Sequence, residues 1–352
     1  MRLKPLIIRD ITAKLPIIQG GMGIGVSGWR LASAVATAGG IGIISGAQSG
    51  FKQKDFAKNT VEANMRAFRD EIRKARENTK GIIGVNIMVA MKNYAEFVKV
   101  AVDEKVDLII SGAGLPLTLP ELVEGSQTKI VPIVSSLRAA ELIMRRWKKK
   151  FEKEPDAIIV EGPEAGGHLG FKKEELENNS APDVYTIVKD ICGYLNEKNL
   201  SIPVIAAGGI FHGDDIVKAL KAGASGVQMA TRFVATHECD ADDAFKKAYV
   251  AAKKEDIVIM QSPVGLPGRA LKNPLLEIIN KGQRVPVSKC YNCVHKCDPK
   301  TTTFCITEAL INAVEGDLDH SLLFVGSRVG EVNRIQGVQE IVDELVTEIE
   351  AI

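Results

Sequence analysis

The chain has 352 residues, 45% of them hydrophobic and 25% charged, which is ordinary usage for a globular protein long enough to bury a sizeable core. Its 45 Lys and Arg against 44 Asp and Glu leave a net charge of +1, which removes any global electrostatic case for nucleic acid or a membrane surface. No apolar run reaches spanning length and MRLKPLIIRD is too short and interrupted for a signal peptide, so a soluble, cytoplasmic protein is expected.

Eight apolar, β-branched runs follow in chain order. They are PIIQGG (16–21), GGIGIISG (39–46), GIIGVNIMV (81–89), DLIISGAG (107–114), KIVPIVSS (129–136), DAIIVEG (156–162), IPVIAAGG (202–209) and SGVQMATRF (225–233). Each is nearly all apolar, as a strand buried on both faces must be. Helical patterns separate them, at 28–39, 52–78, 92–104, 136–150, 182–195 and 212–223. Strands alternating with helices over this length predict an α/β fold of the (β/α)8 TIM-barrel type over residues 1–254. A doubly wound open sheet is the alternative. The alternation then stops. A Pro- and Gly-containing stretch (262–274), four clustered cysteines, a helix near 304–314 and an amphipathic helix near 337–350 follow. We read 255–334 as a cap over the barrel mouth, carrying a four-cysteine segment, and 335–352 as packing back on the barrel.

GIGVSG (23–28) formally matches a dinucleotide-binding G-x-G-x-x-G, but the next strand ends IISGAQSG without the acidic residue that would hold a ribose hydroxyl. GGMG (20–23) reads better as a loop whose bare backbone approaches a flat ligand closely. Gly208 and Gly209 after the seventh strand, with Met229, Ala230 and Thr231 after the eighth, mark a phosphate site, because barrels bind phosphate on these two loops. His168, in EGPEAGGHLG (161–170), follows the sixth strand on the same carboxyl-terminal face. Its type suits proton abstraction near neutral pH, and Glu161 and Glu164 lie close in sequence. The basic run RRWKKK (145–150) would suit an acidic protein partner or a solvated helix face. Cys290, Cys293, Cys297 and Cys305 give C-x2-C-x3-C-x7-C, a soft-metal ligand pattern that favours a [4Fe–4S] cluster, with zinc as the alternative.

IIQGGMGIG, GVNIM, EGPEAGGHLG, PVIAAGGI and GVQMATRF, in this order, resemble the FMN-dependent nitronate monooxygenase family, formerly called 2-nitropropane dioxygenases. That superfamily includes the flavin-dependent enoyl-acyl-carrier-protein reductases. The cysteine segment, with GAGLP (112–116), ECDA (238–241) and SPVG (262–265), resembles its iron–sulfur-containing acyl-carrier-protein dehydrogenase/isomerase subgroup. The resemblance implies an FMN-dependent oxidoreductase with His168 as catalytic base, acting on an acidic C–H beside a nitro group or an acyl thioester. It implies that Gly21, Met22, Gly23, Asn86, Glu161, Gly166, Gly167, Gly208, Gly209, Gln228, Met229, Ala230 and Thr231 bind FMN, and that the four cysteines bind the cluster. Enoyl reduction and a non-catalytic iron–sulfur flavoprotein are the alternatives. A homodimer and an acyl-carrier-protein partner are further family expectations.

Overall fold

The fold is taken from a computed structural model that describes residues 3–352. Eight parallel strands close into a barrel: β1 (Ile17–Gln19), β2 (Ile41–Ser45), β3 (Ile82–Asn86), β4 (Leu108–Ser111), β5 (Lys129–Val134), β6 (Ile158–Glu161), β7 (Val204–Ala207) and β8 (Gly226–Met229). Each pairs with its sequence neighbour, and β8 closes on β1 through Val227–Ile17, Gln228–Ile18 and Met229–Gln19. All eight predicted runs contain one of these strands, and the open-sheet alternative falls.

Side-chain alternation divides each strand between two cores. Ile18, Ile41, Ile43, Leu108, Ile110, Val131, Ile159 and Ile205 fill the barrel interior. Their neighbours, such as Ile44, Ile109, Val160 and Ala206, face the helices. Burying both faces is what makes these segments continuously apolar. A short hairpin, Leu6–Ile8 against Ile11–Ala13, was not anticipated from sequence. Its Leu6, Ile8 and Ala13 belong to the interior cluster and so plug the amino-terminal end of the barrel.

The predicted helices appear as Trp29–Thr37, Thr60–Asn78, Tyr94–Asp103, Leu137–Phe151, Val184–Glu197 and Gly213–Lys221. Between β4 and β5 the connection holds only one helical turn, Leu119–Leu122. The final helix, Val338–Glu350, packs against Gly213–Lys221 and Trp29–Thr37, the helices after β7 and β1. It therefore occupies the eighth helical position of the ring, and Glu348 accepts from the Gly213 N–H at 2.6 Å.

The segment after residue 254 begins with a hairpin, β9 (Ile257–Gln261) and β10 (Pro267–Leu271), and carries helices Pro274–Asn280 and Ile306–Glu315. It has its own apolar cluster, including Met260, Leu275, Leu276, Phe304, Ile306 and Leu322. Its attachment to the barrel is direct. β10 pairs with a two-residue strand, Gly167–His168, so that Gly268 opposes His168 and Arg269 opposes Gly167.

Candidate active site

The carboxyl ends of the barrel strands and the cap enclose a cleft with about 1760 Å³ of empty space, part of it open to solvent. Every residue expected to bind cofactor or act as base lines it: Gly21, Met22, Gly23 and Asn86 from the first and third βα connections, Glu161, Gly166, Gly167 and His168 from the sixth, and Gly208, Gly209, Gln228, Met229, Ala230 and Thr231 from the last two.

The glycines serve two different purposes. A β-carbon on Gly21 would lie 2.3 Å from the Asn86 β-carbon, and one on Gly166 would lie 2.6 Å from the Val325 carbonyl carbon. Their bareness lets the chain pack on itself. Only Gly167 among these three faces free space, with nothing within 4 Å of a β-carbon placed there. At Gly209 the left-handed backbone, φ +78°, turns the chain away from β7 and requires glycine.

His168 sits where three elements meet. Its Nε2 lies 2.7 Å from the Ser262 hydroxyl, at the end of β9. The Phe324 ring packs edge-on against the imidazole, 4.9 Å between centroids. Burial holds its pKa down at about 4, so the ring is neutral at physiological pH and one nitrogen keeps a lone pair. Ser262 lies in the SPVG stretch but received no role from sequence. The β-branched run IVIM before it and the Pro-Gly turn after it are the hairpin signal that could have brought it in.

Glu161 closes the floor. Its strand position pairs with Ala207, and Ala207 pairs with Gln228, which sets the acid and the amide on one level. Burial raises the Glu161 pKa to about 8, which keeps the acid protonated at neutral pH. The Gln228 Oε1 is buried without a hydrogen-bond partner. The floor thus offers one protonated acid and one unmet acceptor, which suits a polyhydroxyl chain able both to donate and to accept. Glu164, by contrast, is exposed.

The β1 loop is anchored from outside the cleft. Asp240, in the ECDA stretch, accepts from the Gly28 N–H at 3.0 Å, and Glu71 accepts from the Trp29 N–H at 2.7 Å. Burial, then the neighbouring Glu71, lifts the Asp240 pKa to about 6.

The four cysteines are not brought together as a metal site requires. Among the described residues no three His, Cys, Asp or Glu side chains are grouped to hold a metal ion, and all four thiols are free. Cys293 lines the cleft, where its carbonyl accepts from the Lys92 N–H at 3.1 Å. Cys290 is exposed, Cys297 is half-buried, and Cys305 precedes the helix Ile306–Glu315. The donors suit a soft metal in kind, but not in this arrangement. The basic run does not border the cleft either. It forms the last turns of Leu137–Phe151, and a helix leading away from β5 ends at the opposite face of the barrel. There Trp147 is fully buried, its Nε1 donating to the Pro116 carbonyl at 3.0 Å, while Lys148 and Lys150 pair with Glu154 and Glu121.

A TIM barrel with a desolvated histidine and glycine-lined loops at its carboxyl end has the architecture of the enzymes that place chemistry on their βα loops. The chain belongs to the nitronate monooxygenase family, whose model matches residues 4–348. It is an oxidoreductase of the flavin-dependent kind. It is 30% identical over 284 residues to a hydroxy-methyl-oxo-octahydro-indene-carboxyl-CoA dehydrogenase of Mycobacterium tuberculosis, an alignment covering 81% of this chain and 70% of that protein. A protein described as a probable nitronate monooxygenase of Staphylococcus saprophyticus is 26% identical over 310 residues, covering 80% and 82% of the two chains. Among solved structures, FabK of Thermotoga maritima superposes with a TM-score of 0.74 at 29% identity, covering 96% of this chain and 94% of its own. A nitroalkane oxidase of Streptomyces ansochromogenes has the same fold, with a TM-score of 0.75 at 22% identity over 96% of both chains.

Proposed function

We propose that this protein is an FMN-dependent oxidoreductase that removes a proton from an acidic carbon of a neutral substrate, with His168 as the base. The observation that carries the proposal is the state of His168: neutral through burial, held by Ser262 at 2.7 Å and facing the cleft beside open Gly167. FMN would supply the electron or hydride chemistry when bound. The Gly208–Gly209 and Met229–Thr231 loops would hold its phosphate, and the protonated Glu161 and the unpartnered Gln228 oxygen would meet its ribityl hydroxyls. Gly21 to Gly23, Asn86 and Gly167 would lie along its ring.

The cleft lining supports an acyl thioester over a nitronate anion. The lining includes a set of apolar side chains, Met88, Met91, Ile133, Val264, Leu310 and Leu322. Among the described residues it has no Lys or Arg, and its acidic members are Glu161 and Glu164. An anionic carbon acid against those apolar side chains meets no counter-charge, whereas the phosphate of FMN would meet backbone N–H groups of the two glycine-bearing loops. A neutral carbon acid beside a thioester carbonyl, with an apolar acyl group, fits the lining, and the CoA dehydrogenase relative acts on a thioester by name. A neutral nitroalkane is the second reading, favoured by the family match. The thiol spacing alone points to a [4Fe–4S] cluster on the cysteine segment, with zinc as the alternative, while the arrangement of the four side chains does not bring them together as either would need.

Anaerobic mixing tests the reading. An apolar acyl thioester should bleach the bound flavin, while NADH and NADPH should not. Bleaching by a nitroalkane alone selects the second reading. Bleaching by a nicotinamide alone overturns the proposed direction in favour of enoyl reduction. His168→Ala should keep the yellow flavin and lose ~10²–10⁴-fold in turnover, as loss of a general base does. Full turnover in that variant removes His168 from the reaction.

A further inference from the structure

The loop between β6 and His168 has an unusual support. Residues 163–165 leave the barrel strand and turn back toward the two-residue strand Gly167–His168. Within the turn, the Ala165 N–H donates to the Gly162 carbonyl at 3.2 Å, and the Ser327 N–H donates to the Glu164 carbonyl at 3.1 Å. The carbonyls of Pro163 and Ala165 are met by a side chain 106 and 104 residues further on, respectively. Arg269 Nη1 donates to the Pro163 carbonyl at 2.7 Å and also to the Ala165 carbonyl. The arginine is 8% exposed. Burial lowers its pKa, and the charge of Glu164 opposes that shift.

A buried guanidinium that serves two neutral carbonyls is a costly device for stability alone, since desolvating a cation is offset only by good hydrogen bonds. The placement explains it. The Arg269 backbone opposes Gly167 in the sheet, its carbonyl accepts from the Val325 N–H at 3.1 Å, and Gly268 opposes His168. Ser262, at the other end of the same hairpin, holds the imidazole. One hairpin therefore holds both the loop, through Arg269, and the ring, through Ser262.

We infer that Arg269 is a positioning residue for His168: by tying the Pro163 and Ala165 carbonyls to the cap hairpin, it fixes the direction in which the imidazole enters the cleft. This rests on the reading of His168 as base, and the mode of action is orientation and exclusion of water. Burial is what lowers the His168 pKa, so its titration reports how well the loop stays closed.

The test uses the full-length, flavin-loaded protein with Arg269→Met and Arg269→Lys. The His168 titration is followed by NMR of carbon-13-labelled imidazole, assigned by its disappearance in His168→Ala, together with kcat, KM and flavin affinity. Arg269→Met should raise the His168 midpoint by about one unit or more toward the ordinary histidine value. It should lower kcat by ~10–100-fold through misorientation, with KM changing less than about threefold. Arg269→Lys should recover part of both, because an ammonium can still donate to one carbonyl. An unmoved His168 midpoint in Arg269→Met, with wild-type kcat or with only lowered stability, overturns the inference. Should Arg269→Met fail to fold, Arg269→Lys decides, and a wild-type midpoint and kcat in that variant overturn the inference as well. Full turnover in His168→Ala refutes the base itself, while the titration still decides whether Arg269 positions the ring.

Discussion

Replacing Glu161 by glutamine should change how stability depends on pH. Burial holds the Glu161 pKa at about 8 in the folded protein, against 4.5 for a solvated glutamate. Between those values the unfolded chain has released the proton and the folded chain still carries it. Stability therefore falls as pH rises through this window, by about 1.4 kcal/mol per pH unit, and levels off above the folded pKa. The full window corresponds to roughly 5 kcal/mol, of which roughly 3 kcal/mol has been lost at neutral pH. A glutamine keeps the shape of the protonated acid and does not titrate. The unfolding free energy of Glu161→Gln minus that of the wild type should climb by about 4 kcal/mol between pH 5 and pH 8, then stay constant. Urea unfolding of the flavin-free protein, followed through tryptophan fluorescence at four pH values across that range, measures it. Asp240 and His168, whose pKa values stand at about 6 and about 4, contribute equally to both proteins and cancel. A difference that does not vary with pH would show that Glu161 is ionised in the folded state. The floor of the cleft would then offer no proton donor, and the fit of a polyhydroxyl chain to Glu161 and Gln228 would fail.

Ser262→Ala removes the 2.7 Å partner of His168, and turnover should drop about 10-fold with flavin binding unchanged; wild-type turnover would leave Ser262 without a part in the chemistry. Gly193 lies inside the helix Val184–Glu197 with nothing within 4 Å of a β-carbon, so Gly193→Ala should raise stability by about 0.5–1 kcal/mol in urea unfolding. Iron and sulfide analysis of anaerobically purified protein decides what the cysteine segment carries: four iron atoms per chain would show that the thiols converge on a [4Fe–4S] cluster despite the arrangement described above. Stoichiometric zinc, or four free thiols without metal, would remove the cluster from the cysteine segment.

The barrel was legible because each strand is buried twice. Ile205 and Ala207 face the interior while Val204 and Ala206 face helices, so the run IPVIAAGG shows no polar alternation and can be read as a parallel strand. The placement of His168 and of the Gly208–Gly209 and Met229–Thr231 loops on the cleft was legible because glycines mark the carboxyl ends of strands, where barrels carry their sites. The same glycines were less informative about what lies near them. Gly21 and Gly166 read in sequence as room for a ligand, yet the space goes to Asn86 and to the Val325 backbone. The amino-terminal hairpin was missed because three-residue strands carry too little periodicity to register. At the cysteines, spacing fixes the chemistry of the donors, but their convergence depends on how the 290–305 segment folds over the barrel.

What sequence could not supply about His168 is supplied by the cap. Ser262 is 94 residues from His168, and Phe324 and Arg269 reach the site from later still. These pairings exist only because β10 adds itself to Gly167–His168, a contact that no local pattern announces. The division of labour has a physical consequence. The barrel fixes the floor, through Glu161 and Gln228, and the glycine loops. The cap fixes the hydration and hydrogen bonding of the imidazole, and hence its proton affinity. Changes confined to residues 257–271 and 322–328 can therefore retune the proton affinity of His168, and, if it acts as the proposed base, the acidity of the carbon within its reach, while every barrel strand stays as it is.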